Sequence, residues 1–104
     1  MPLFSDFGKI WVFNSEESAF PGGIFTDKDK AERWISEHRL SGTLTLYPID
    51  VGVYDLFISK GWFKPKRPEH SQPAFIGGFT QASQDHEHYQ NGRRLIDIIR
   101  DEEM

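Results

Sequence analysis

Cysteine is missing from this sequence altogether. That excludes a disulfide framework, a thiolate zinc site, an iron–sulfur cluster and a cysteine nucleophile. Long apolar runs are missing too. The longest, Ile10 to Phe13, is far too short to cross a bilayer, so no membrane span is expected. The first residues, Met1-Pro2-Leu3-Phe4-Ser5-Asp6, place no basic segment ahead of an apolar one. A secretory leader is therefore not expected, and the cytoplasm is the expected location. There is no Walker loop and no dinucleotide fingerprint. Ser15, Ser18, Ser71 and Ser83 stand in turn-like contexts without a Gly-x-Ser-x-Gly elbow, so nucleophilic catalysis finds no support. These absences leave no cofactor to expect. An excess of positive charge is lacking as well, with 12 Lys and Arg against 16 Asp and Glu. Nucleic-acid binding rests on phosphate neutralisation, so it is disfavoured as the main role.

What remains is 104 residues, enough for one domain spanning 1–104 and too few for two with cores of their own. Aromatic residues make up 14%, with nine Phe, three Trp and three Tyr. Such a payload buries much apolar area with few side chains.

The pattern along the chain predicts an α+β fold: an antiparallel sheet of about four strands with two helices packed on one face. Lys9-Ile10-Trp11-Val12-Phe13 reads as a central strand covered on both sides, and Gly23 to Thr26 as its antiparallel neighbour. Ala31, Trp34, Ile35 and His38 recur at helical spacing, with Thr26 as N-cap, Asp29 at the capping-box position and Gly42 in the C-cap region. Thr43 to Ile49 alternates as a strand should. A second helix follows, capped by Asp50, striped by Val53, Leu56 and Phe57, and stopped at Gly61. Trp62 to Gln72 reads as a proline-punctuated loop, and Ala74 to Thr80 as a strand bulged at Gly77-Gly78. Asn91-Gly92 is a strong hairpin signal pairing Asp85–Gln90 with Arg93–Ile99. Leu95, Ile98 and Ile99 fit a helical stripe equally well. The charge order, basic first and acidic last, opposes a helix dipole and favours the hairpin. The expected core is Ile10, Val12, Phe25, Trp34, Ile35, Leu44, Leu46, Val53, Leu56 and Phe57.

The run Gly23-Ile24-Phe25-Thr26, Ala31, Trp34-Ile35, Leu44-Thr45, Tyr47-Pro48, Asp50 and Val53-Tyr54-Asp55 resembles a family of small bacterial domains of unknown function. Lys64-Pro65-Lys66-Arg67-Pro68, Phe75-Ile76-Gly77 and Gln84-Asp85-His86-Glu87-His88-Tyr89 carry the same resemblance. It extends from Trp11 to Gly92 and implies a single domain of bacterial origin, without assigning a reaction. In size and layout the chain is loosely similar to α+β immunity proteins that block toxins, an analogy of architecture only.

Three clusters carry candidate chemistry. His86 and His88 project to one face of a strand, where two imidazoles can share a divalent metal with His70 or a carboxylate. The bland reading has both histidines bonded to backbone. Tyr47, Asp50 and Tyr54, with Asp55 beside them, can converge on a ligand at a strand-to-helix junction. Against that, Asp50 can simply cap a helix while the two phenols reach the surface. Trp62, Phe63, Lys64, Lys66 and Arg67 interleave aromatics with cations, as partner-binding surfaces do. The bland alternative is a core Trp62-Phe63 pair with a solvated basic loop behind it. Phe4, Phe7, Phe20, Trp62 and Phe63 are more loop and terminal aromatics than solvation needs, which points to another protein, such as a toxin or an enzyme, as the partner.

Overall fold

A computed structural model describes residues 8–103. Phe4 and Phe7 lie outside the described residues. Five strands form one antiparallel sheet: β1 (Lys9–Ser15), β2 (Pro21–Phe25), β3 (Gly42–Pro48), β4 (His86–Gln90) and β5 (Arg93–Arg94). Their spatial order is β2-β1-β3-β4-β5. The α+β expectation holds, with one strand more than the four expected. Helices α1 (Lys28–Glu37), α2 (Val53–Ser59), α3 (Pro73–Gly77) and α4 (Leu95–Glu103) complete the chain, with a 3₁₀ turn at Pro68–Ser71.

β3 fixes the two faces. Leu44 and Leu46 point into the core, whereas Thr43, Thr45 and Tyr47 point the other way. In β1, Phe13 pairs with Leu44 and Trp11 with Leu46, so Trp11 and Phe13 join the core face. Ile10 and Val12, expected in the core, pair with Tyr47 and Thr45 on the opposite face. Four consecutive apolar residues give no parity signal, so the inward set was not legible in β1. That opposite face, with Asn14, Ile24, His86 and His88, is left uncovered by α1 and α2, against the expectation that β1 is covered on both sides.

Two cores lie side by side on the covered face. One joins Phe13, Leu44 and Tyr89 of the sheet to Ala31 and Ile35 of α1, with Phe25, Trp34 and Leu40 packed against it. The other joins Leu46 to Tyr54, Leu56 and Phe57 of α2 and to Phe79, flanked by Val53, Phe63 and Phe75. Trp11 packs against both.

Caps differ from the sequence reading in detail. The α1 N-cap is Asp27 rather than Thr26; its carboxylate accepts the Asp29 N–H at 2.8 Å. Arg39, at φ 54°, takes the left-handed position after α1, so Gly42 is not its cap and lies buried in β3. Asp50 does not cap α2. It occupies a left-handed turn position, φ 66°, and Gly52 precedes the helix without a side-chain cap bond. Residues 74–80 form no strand. Pro73 starts α3, a position suited to a residue without an N–H, and Phe75 and Phe79 turn toward the second core. The last quarter realises both readings. Asn91 and Gly92, at φ 51° and 86°, make the tight hairpin turn from β4 to a two-residue β5, and the chain then turns helical as α4.

A basic corner and a histidine face

The chain leaves α2 by a backbone bond from Trp62 N–H to the Phe57 carbonyl, at 2.8 Å. This sends the two adjacent aromatics apart. Trp62 stands edge-on to Phe57, ring centroids 5.2 Å apart, and keeps 42% of its surface exposed. Phe63 turns inward onto Phe79, 4.9 Å away, and onto Tyr54 and Phe75. Neither the all-partner nor the all-core reading of this pair holds: one ring is displayed and the other is packed.

Lys64, Lys66 and Arg67 follow, all exposed. The loop carrying them is tied from within. His70 Nδ1 accepts the Lys66 N–H at 3.0 Å, which fixes the ring against the loop backbone. The Tyr54 hydroxyl donates to the His70 carbonyl at 2.8 Å. The His70 ring lies 4.8 Å from Phe75 and 5.4 Å from Phe63. Pro65 and Pro68 restrict the backbone further. Arg67 reaches Glu69 at 3.8 Å, an exposed pair that holds little energy. Three cations are thus presented on a preset loop beside an exposed indole. The sequence showed the composition of this corner. It did not show His70 as its tether, which depends on packing from α3.

Tyr47, Asp50 and Tyr54 are not brought together. Tyr47 lies on the sheet face away from α1 and α2, Asp50 is exposed in its turn, and Tyr54 is buried on the opposite face with its hydroxyl engaged by His70. Tyr54 was expected to reach the surface, and it does not. No ligand site forms from these three residues.

His86 and His88 do share a face, opposite Thr45 and Thr43 of β3, with ring centroids 5.0 Å apart. His86 Nδ1 meets the Gln84 carbonyl at 2.7 Å and donates to it, so Nε2 is the nitrogen not used in that bond. His88 Nδ1 meets Thr43 Oγ1 at 3.2 Å. An open concavity of about 330 Å³ lies beside His86, between Tyr47, Thr45, Asn14 and Gln81. Gln84 anchors the approach to β4. Although buried, it donates to the Leu46 carbonyl and accepts from the Gln81 N–H. His70 sits in the aromatic corner and cannot complete a metal sphere. Among the described residues no group of three His, Asp or Glu side chains is placed to hold a metal ion. Glu87, on the covered face, pairs with Lys28 at 3.6 Å, and that ammonium lies over Trp11.

One polar contact had no sequence signal. The Tyr89 hydroxyl donates to Glu32 of α1 at 2.6 Å. Burial, reinforced by the Glu32 carboxylate, pushes the Tyr89 phenol well above its ordinary value. The bond therefore joins a neutral phenol to a carboxylate and ties α1 to β4. Of the loop aromatics, Phe20 is 78% exposed.

Fold and surface together define a small α+β domain with α1 and α2 on one sheet face and a basic-aromatic corner beside α2. Residues 10–95 match the family described as "Domain of unknown function (DUF7710)", and the chain belongs to that family. No curated protein and no solved structure matches the chain.

Proposed function

We propose that this chain is a non-enzymatic protein-binding domain, of the immunity or inhibitor type, that blocks its partner by occlusion. The observation that carries the reading is Trp62, exposed beside three cations on a loop fixed by His70. An exposed Trp flanked by Lys and Arg is the composition of an interface anchor. A loop already held in one conformation loses little entropy on binding. The partner then carries an acidic surface with an apolar recess for the indole. The test is affinity capture from the native host, followed by a titration of the captured partner. A Trp62→Ala, Lys66→Glu double variant is expected to weaken binding at least about thirtyfold, the scale of a hot-spot tryptophan. Equal binding by the variant sinks the assignment of the corner. A partner enzyme that keeps full activity in the complex sinks occlusion.

A second reading rests on the histidine face. A zinc ion ~2.1 Å from one nitrogen of each ring would place the two centroids about 5 Å apart at a near-tetrahedral angle. The separation in the structure is 5.0 Å, and the Nδ1–H bond of His86 is the kind of contact that orients a metal-binding imidazole. If this face holds metal, calorimetric titration with zinc or nickel gives one ion per chain, and His86→Ala abolishes it. No heat at micromolar metal ends this reading.

A further inference from the structure

α4 is nine residues long, about 13 Å, and helices of that length are marginal unless packed. Yet none of its residues is buried. Leu95, Ile96 and Ile99 are 37%, 44% and 42% exposed, and Ile98 is half-buried. At ~100° per residue these four fall on a single stripe. The charge order also works against a solitary helix. Arg93 and Arg94 precede its positive end, and Asp101, Glu102 and Glu103 occupy its negative end. Two bonds within the chain, Arg94 to Asp97 and Arg93 to Asp101, fold the arginines back along the helix. Among the described residues nothing buries the apolar stripe.

A second α4 running the opposite way answers both problems. The stripes cover each other, the dipoles oppose, and each acidic last turn meets the other copy's arginine pair. With Ile96 set against Ile99 of the second copy, Arg93 comes opposite Glu102. The same surface serves both chains, as a two-fold axis requires. We propose that α4 is a self-association surface through which two copies of this chain pair in antiparallel fashion. One short helix per copy covers less than the ~800 Å² per partner of a stable complex, so the dimer is weak and concentration-dependent.

Sedimentation velocity on the full chain, from about 10 μM to about 1 mM, spans the range where so small an interface assembles. The sedimentation coefficient is expected to rise toward that of a dimer. Ile99→Glu is expected to raise the dissociation constant at least about tenfold while circular dichroism stays unchanged. Because the chain has no cysteine, single substitutions report on geometry without background. Ile99→Cys is expected to form a disulfide-linked dimer readily. Glu103→Cys is not, since antiparallel pairing holds the two positions roughly 16 Å apart along the axis. A monomer at every concentration overturns the proposal, and so does a dimer indifferent to Ile99→Glu. Equal cross-linking at 99 and 103 overturns the antiparallel arrangement.

Discussion

Gly42→Ala is expected to cost on the order of 4–5 kcal/mol, at the extreme of single substitutions. A Cβ at this position would stand 2.1 Å from the Asn14 carbonyl oxygen, 2.8 Å from the Phe13 ring and 2.9 Å from the Ser15 Cα. Two of those neighbours are backbone of the adjacent strand and cannot rotate away. Gly42 pairs with Ser15 on one side and Tyr89 on the other, so relief requires β1 to separate from β3 at the middle of the sheet. A domain of this size has about 5–10 kcal/mol in total. The variant is therefore expected to lose roughly half of that stability or more, read by urea denaturation with tryptophan fluorescence. A loss below about 1 kcal/mol would show that β1 and β3 meet differently at Ser15 and Gly42.

Phe57→Ala is expected to cost about 3–5 kcal/mol, the range for removing a buried ring. Phe57 is 1% exposed, packs edge-on to Phe79 and joins α2 to Leu46. It is also the seat of Trp62. The substitution should therefore do two things at once: lower the urea midpoint and shift the Trp62 emission, as the indole loses its support. Trp62→Ala provides the contrast, since a ring already 42% exposed should cost little stability. If both variants lose the same stability, Trp62 is a core residue and the interface reading of the corner loses its basis.

The sheet's middle and its first helix were legible because their periodicities are clean. β3 alternates Thr and Leu, and α1 spaces Ala31, Trp34 and Ile35 on one face. β1 was legible as a strand but not in its parity, because Ile10 to Phe13 offers apolar side chains to both faces. Ala74 to Thr80 departs from the strand its pattern predicts for a local reason: Phe75 and Phe79 serve a strand or a helix equally, and Pro73 as a helix start outweighs the β propensity around it. In the last quarter the charge order spoke against a helix, yet α4 forms there. The Arg94–Asp97 and Arg93–Asp101 pairs offset an unfavourable dipole worth a few tenths of a kcal/mol per charge. Of the candidate sites, the basic corner and the histidine pair were visible as clusters. Which ring faces outward, and that His70 serves the corner rather than the metal, depended on contacts made across the second core.

The placement of that second core has a consequence for how the chain assembles. The β1–β2 and β4–β5 hairpins close over short turns, whereas β3 and β4 are neighbours with everything from Ile49 to Asp85 looped out between them. α2, the basic loop and α3 all sit inside that one excursion. Closing the β3–β4 pair is thus the entropically expensive event in folding. Once it has been closed, lengthening the excursion is cheap, since each doubling of a flexible loop adds only about 0.6 kcal/mol. The stretch that displays Trp62 and the three cations is therefore the part of this architecture best able to change length and sequence while the sheet beneath it stays the same.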